Sequence, residues 1–306
     1  MQNAGQTILQ QVTDQIGQVV LGHDATVKLT LTAMLAGGHV LFEDVPGVGK
    51  TTLVETLAKT LDLDFRRIQF TPDLMPSDIV GGAIFNQQTA EFEFRRGPLF
   101  TPIVLADEIN RATPRTQAAL LEAMGEKRIT IDGQTYNLDP NFFVLATQNA
   151  TEFAGTYPLP EAQLDRFLMR LHLGYPEAYA ELALLMGAQH GPVATPILTG
   201  AQLSALKAEV ANVTVSEPVA DFVLRLVRAT RHYPRVRLGI SPRGGLALVA
   251  AARALAFIEG RNFVLPDDVQ TLVPAVFGHR LLMQPGDGAD ATSVLAEILQ
   301  TVLPPD

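Results

Sequence analysis

Apolar residues recur at three- and four-residue spacing through residues 6–20 and again through 24–37, which predicts two amphipathic helices ahead of the first strand. Gly37-Gly38 ends the second. Residues 39–43 (HVLFE) form a short apolar run that predicts a buried strand, followed by a Gly-containing turn and a helix over about 50–61. Further strands are expected at 64–70, 103–106, 142–147 and 167–173, with helical patterns between most of them. This alternation predicts an α/β fold with a parallel five-stranded sheet covered on both faces. Ligands of such sheets bind beyond the strand C-termini.

Two stretches interrupt the alternation. Residues 79–94 (IVGGAIFNQQTAEFEF) hold two β-like runs around a polar turn, and 128–138 (RITIDGQTYNL) centre an Asp-Gly between β-rich flanks, so both predict β-hairpins. From Pro176 on the pattern is helical, with helices expected at 177–188, 201–210, 217–233, 242–259 and 266–280 and a plain loop at 285–290. The chain therefore divides into an α/β part over 1–175 and a small all-α second domain over 176–306. No internal repeat or low-complexity tract is evident.

Composition narrows the class. With 306 residues, 47% hydrophobic and 18% charged, the chain is an ordinary globular protein of about two domains. It has no cysteine, which excludes disulfides and Cys-based zinc sites. The six histidines (23, 39, 172, 190, 232 and 279) lack metal-ligand spacing and are expected to be structural. A net charge of −9 argues against a nucleic-acid backbone as partner, and the basic clusters at Arg66-Arg67, Arg95-Arg96 and Arg225 to Arg237 are expected to be solvated faces or ion pairs. The N-terminal stretch has neither a basic n-region nor an apolar h-region, so the expectation is a cytoplasmic protein with no membrane insertion.

The strongest local signal runs from Asp44 to Thr51 (DVPGVGKT), a P-loop pattern with Asp44 where the first glycine is expected. Between a strand and a helix, the backbone amides of Gly47 and Gly49 can curl around a β-phosphate and Lys50 can reach the β- and γ-phosphates. The Thr51 hydroxyl can ligate Mg²⁺. A second signal is the apolar strand that ends in Asp107-Glu108. Asp107 is suited to holding the Mg²⁺ shell and Glu108 to polarising an attacking water. Alone, an acid pair at a strand end is a common cap; the P-loop about sixty residues upstream sharpens it.

The strings VPGVGKT, LADEINRATPRTQAALLEAM, ATQNATEFAGTYPLPEAQLDRF and GISPRGGLAL, in that order and spacing, closely resemble the MoxR family of AAA+ ATPases over about residues 10–285. The resemblance implies a P-loop AAA+ core with two β-hairpin insertions, followed by an α-helical lid domain, and makes an Asp at position 44 ordinary. Ala150 departs from it, since the family often has Pro after Gln-Asn.

The resemblance also implies site roles. ATP would be bound by Val45, Pro46, Gly47, Val48, Gly49, Lys50, Thr51 and Thr52, with Mg²⁺ at Thr51 and Asp107. Catalytic positions would be Glu108, Asn149 as sensor 1, Arg166 as an arginine finger for a neighbouring subunit and Arg243 as sensor 2 on the lid. Residues 79–94 would be the helix-2 insert and 128–138 the pre-sensor-1 hairpin, shared with magnesium chelatase ATPase subunits and minichromosome maintenance helicases. Phe85, Phe92 and Phe94 would then either touch substrate at a pore or pack beneath the hairpin. Arg111 and Arg115 would approach a neighbouring subunit.

The resulting expectation is an ATP hydrolase in a homo-oligomeric ring, a hexamer by resemblance, that remodels or matures partner proteins as a chaperone. With core and lid filling the length, the von Willebrand factor A domain adaptor of the family is expected on a separate polypeptide. Two other classes stay open: a nucleic-acid-dependent motor, and a nucleotide-gated scaffold that does not hydrolyse.

Overall fold

The computed structural model describes residues 4–45, 47–131, 133–149, 155–186, 194–286 and 290–305. Pro46, Asp132, Ala150 and His190, singled out above, lie outside the described residues.

Helices α1 (Ala4–Val19) and α2 (Asp24–Leu35) precede β1 (Val40–Glu43), and α3 (Lys50–Thr60) follows it. Next come β2 (Phe65–Gln69), the short α4 (Pro76–Val80), and the hairpin β3 (Gly81–Asn86) with β4 (Glu91–Arg96). After β5 (Ile103–Asp107) and α5 (Pro114–Glu126), a second hairpin pairs β6 (Arg128–Ile131) with β7 (Gln134–Asn137). β8 (Phe143–Gln148), α6 (Glu161–Leu164) and β9 (Met169–Leu171) complete this part. Then follow α7 (Ala178–Leu185), α8 (Gly200–Ala211), α9 (Glu217–His232), β10 (Val236–Leu238), α10 (Pro242–Ile258), α11 (Pro266–Phe277), β11 (Leu282–Met283) and α12 (Ala291–Thr301).

The five expected strands form one parallel sheet in the order β2-β5-β8-β1-β9. The three central strands, β5, β8 and β1, run apolar on both sides because each face is covered, whereas the edge strand β2 exposes Arg66, Arg67 and Gln69. Val40, Phe42, Ile103, Leu105, Phe143 and Leu145 enter one apolar cluster, while Leu41, Val104, Ala106, Val144 and Ala146 enter the other. This is the period-two alternation of a strand buried twice. The first cluster continues into α8 to α12, with α8 and α10 packing on α2, α10 also on α1, and α11 on β9, so these helices do not stand apart.

Two features depart from a purely helical second part. β10 and β11 form a small antiparallel ribbon, Val236 opposite Met283, and Thr214 bridges Phe263. α12 follows the 285–290 loop, started by Asp290, whose carboxylate accepts from the Ser293 amide at 2.7 Å. A ribbon whose halves are about 45 residues apart leaves no local sequence period to detect.

The two insertion hairpins touch. Phe94 of β4 stacks on Tyr136 of β7 (4.4 Å between centroids, 25° between planes), and both rings meet Phe100. Phe94 therefore packs between hairpins, whereas Phe85 (50% exposed) and Phe92 (73%) form an edge-to-face pair open to solvent.

His39 at the start of β1 is a structural residue. Its Nδ1 accepts from the Val144 amide (3.0 Å), so the proton sits on Nε2, which donates to the Met124 carbonyl (3.2 Å). Burial pushes its pKa down to about 4. The unfolded chain binds the proton near pH 6.5 and the folded chain only near 4, so His39 contributes stability that is full above 6.5 and lost as pH falls toward 4. At pH 5 the loss is about 2 kcal/mol from this group. Denaturant unfolding at pH 8 and pH 5 is expected to show it, and His39→Gln to flatten the dependence.

Candidate functional site

The C-terminal ends of β1, β5 and β8 bring the sequence-predicted groups to one place. A cavity of about 250 Å³ is lined by Asp44, Gly47, Gly49, Lys50, Thr51, Arg67, Gln69, Asp107, Glu108, Thr147 and Asn149. A second, more apolar cavity of about 240 Å³ shares Gly47 and Gly49 and is walled by Val19, Val20, Leu21, His23, Val48, Thr52 and Pro176. Sequence reading gave no nucleotide-site role to residues 19–23 or to Pro176. They come from the α1–α2 turn and the chain after β9, far apart in sequence. A wider space of about 1000 Å³ lies between α1, α2 and the helices after residue 242, and its walls carry the ion pairs Lys28–Glu259 and Arg261–Asp268. It holds none of the residues of the P-loop or of the β5 acid pair.

The loop before α3 is shaped by two glycines in the left-handed region, Gly47 at φ 85° and Gly49 at φ 93°. Nothing lies within 4 Å of where their Cβ atoms would be, so the loop is an open cradle and its glycines serve backbone conformation rather than packing. Lys50 bends back toward the Asp44 and Val45 carbonyls (3.4 and 3.3 Å). Burial lowers its pKa, while Asp44, Asp107 and Glu108 act in the opposite direction. Asp44, which replaces the first P-loop glycine, accepts from the amides of Leu173 (2.7 Å) and Gly174 (3.1 Å). Its carboxylate thus ties the loop to the chain leaving β9.

Asp107 and Glu108 are held by more than their strand. The buried Thr147 hydroxyl accepts from the Glu108 amide (2.8 Å) and donates to Asp107 Oδ1 (2.6 Å). Glu108 sits in the left-handed region (φ 56°, ψ 50°), a conformation costing a non-glycine residue about 1 kcal/mol or more, and the Thr147 bond helps to fix it. Arg67 donates to Asp107 Oδ2, and Glu108 Oε2 accepts from Gln69 (2.8 Å) and Arg111 (3.0 Å). Arg111 thus pairs within its own chain, while Arg115 is exposed. Thr147→Val keeps the shape and removes the hydroxyl. Any turnover is expected to fall at least about tenfold and stability by about 1–3 kcal/mol, with Thr147→Ser near wild type in both; steady-state assays with thermal melts decide it.

Asn149 follows β8 and lines the cavity. Arg166 and Arg243 do not. Arg166, just after α6, donates to the Leu121 carbonyl of α5. Arg243, at the start of α10 and 63% exposed, faces Asp165 at 3.9 Å. Asp165 also pairs with Arg280 (2.7 Å), whose buried guanidinium binds the carbonyls of Asp165, Phe167 and Leu168. Neither predicted arginine therefore lines its own P-loop cavity: Arg166 lies against α5, and Arg243 faces Asp165.

Comparison with known proteins gives the family of the chain. Residues 39–169 match the model of the ATPase family associated with various cellular activities, and 228–298 match the AAA lid domain. The chain is 42% identical to the chaperone MoxR1 of Mycobacterium tuberculosis, covering 97% of this chain and 82% of that one. It is 34% identical to protein MoxR of Paracoccus denitrificans, covering 87% and 86%. The chain belongs to the MoxR family of AAA+ ATPases. The uncharacterized protein YeaC of Bacillus subtilis is 47% identical over 97% of this chain and 95% of its own. A crystal structure from Cytophaga hutchinsonii superposes on this MoxR-family chain with a TM-score of 0.92 at 39% identity, covering 99% and 96%. Among the described residues no helix is long and apolar enough to cross a membrane.

Proposed function

We propose that this MoxR-family chain binds and hydrolyses ATP with Mg²⁺ in a ring of identical subunits, hexameric by resemblance, and uses the cycle to remodel partner proteins. The observation that carries the reading is a division of labour: one cavity gathers Lys50, Thr51, Asp107, Glu108 and Asn149, while Arg166, held on the Leu121 carbonyl, and Arg243, facing Asp165, lie outside it. A site missing its arginines, on a subunit that displays them elsewhere, is completed by a neighbour.

The chain's residues fit the nucleotide. The open glycine cradle and the amides at the start of α3 suit phosphates, and the apolar cavity on the other side of Gly47 and Gly49 suits a purine. Among the described residues no three His or acidic side chains converge as a protein-only metal cage. Mg²⁺ sites beside phosphates have this character, with one or two protein oxygens, here Thr51 and Asp107, and the rest from phosphate and water. Bound Mg²⁺ supplies charge neutralisation across the phosphates. Lys50 swings from the loop carbonyls to the β- and γ-phosphates, Glu108 orients and deprotonates the attacking water, and Asn149 holds that water in line. Arg166 and Arg243 of the adjacent subunit offset charge on the transferred phosphoryl group.

In this reading residues 1–175 are the nucleotide-binding core and 176–306 the lid, in the cytoplasm. The exposed Phe85–Phe92 pair is the surface offered to a protein substrate, delivered by a separate adaptor of von Willebrand factor A type. A relative named as a chaperone supports the protein-remodelling class. The test is ATP turnover per subunit against protein concentration, with and without single-stranded DNA. Turnover is expected to rise as rings assemble and to ignore DNA. Stimulation by DNA would replace this reading with a nucleic-acid motor, and nucleotide binding without turnover at any concentration would leave a scaffold.

A further inference from the structure

Arg67 is a second cation in the P-loop cavity, and the roles proposed above give it no task. It is placed there by strand pairing. β2 runs beside β5 with Arg67 opposite Leu105 and Gln69 opposite Asp107, and as alternate residues of one strand Arg67 and Gln69 share a face. The guanidinium reaches Asp107 Oδ2 through Nε (3.2 Å) and Nη2 (2.6 Å), and Nη2 also donates to Gln69 Oε1 at 3.1 Å. The other carboxylate oxygen, Oδ1, is already committed to the buried Thr147 hydroxyl at 2.6 Å. Of the two Asp107 oxygens, therefore, the one free of the Thr147 clamp is the one that Arg67 covers.

We propose that Arg67 is the resident counter-ion of Asp107, which a divalent cation must displace from Oδ2, so that Arg67 sets the cation concentration at which the site loads. The exchange is physically easy. The Arg67 side chain is 50% exposed while Asp107 is 16% exposed, so the departing guanidinium moves into water and the carboxylate is not left bare. A half-exposed pair of this kind is weak, and a guanidinium is the less strongly hydrated cation. The resident cation also keeps the carboxylate neutralised and correctly turned before loading. Arg67 is thus a positioning residue that acts through Asp107, and it discriminates against loading at low divalent concentration. The proposal rests on Asp107 being the metal-side carboxylate.

The experiment is a Mn²⁺ titration followed by electron paramagnetic resonance in the presence of saturating ADP, on wild type, Arg67→Gln, Arg67→Lys and Asp107→Asn, with thermal melts to confirm folding. Removing one positive charge at this range is expected to tighten the apparent Mn²⁺ dissociation constant about fivefold in Arg67→Gln, with Arg67→Lys between it and wild type. ADP affinity measured without divalent cation is expected to change far less, because Arg67 acts on Asp107. Asp107→Asn is expected to weaken Mn²⁺ binding. If Asp107→Asn weakens binding but Arg67→Gln leaves it unchanged or weaker, Arg67 is not displaced and the proposal falls alone. If Asp107→Asn has no effect on Mn²⁺, the assignment of the metal position is wrong and the proposal falls with it.

Discussion

Arg166→Ala is expected to reduce ATP turnover of the assembled protein by about 10³-fold or more while leaving nucleotide affinity within about twofold. The first half follows from chemistry, since a planar cation against the transferred phosphoryl group is worth that much in related hydrolases. The second follows from position. Arg166 lies beyond α6 with its guanidinium on the Leu121 carbonyl, and it lines neither the phosphate cavity nor the apolar cavity of its own subunit. The decisive version mixes two inactive proteins. Lys50→Ala has a broken pocket and an intact Arg166; Arg166→Ala has the reverse. Mixed rings place intact pockets next to intact arginines, so turnover should reappear on mixing. Full activity in Arg166→Ala, or no recovery on mixing, would remove Arg166 from the trans role.

Glu108→Gln should cost about 10²–10⁴ in turnover, the range for loss of a positioned general base. Its interest lies in what should survive. An amide at 108 can still pair with Gln69 and can still be held in the left-handed conformation by Thr147, because that bond uses the backbone amide. ATP binding, followed by a fluorescent analogue, should therefore persist, and the ring should be trapped in its ATP-bound form. Turnover within about threefold of wild type would move the base elsewhere.

Much of this architecture was legible in the chain because its signals are local. Residues 40–42 announce a buried strand by an apolar run, Gly47 and Gly49 announce a tight turn between that strand and α3, and Asp132-Gly133 between β-rich flanks announces a hairpin, whose strands the structure pairs at Arg128–Asn137. What stayed hidden depends on contacts between distant segments. Thr147 reads as one more strand residue until β8 is laid beside β5 and its hydroxyl meets Asp107. Arg67 reads as half of a surface basic pair until register sets it over that same carboxylate. Asp44 departs from the bare P-loop pattern, and its partners, the amides of Leu173 and Gly174, lie about 130 residues away where no local pattern points to them. The direction of Arg243 was equally out of reach, since an arginine in the first turn of a helix carries no local mark of the carboxylate it will face.

The aromatic contact between the two insertion hairpins has a mechanical consequence. With Phe94 stacked on Tyr136 and both against Phe100, the hairpins are prongs of one fork, and a load on either prong is shared by the other. The handle of that fork is Phe100, three residues ahead of the strand that ends in Asp107. Tension applied at the exposed Phe85–Phe92 tip therefore runs along β4 into the strand that carries the acid pair. The exposed Phe85–Phe92 pair and the acid pair thus lie on one stretch of chain, β4 passing through Phe100 into the strand that ends in Asp107, which gives the proposed work at the tip a covalent route to the proposed chemistry.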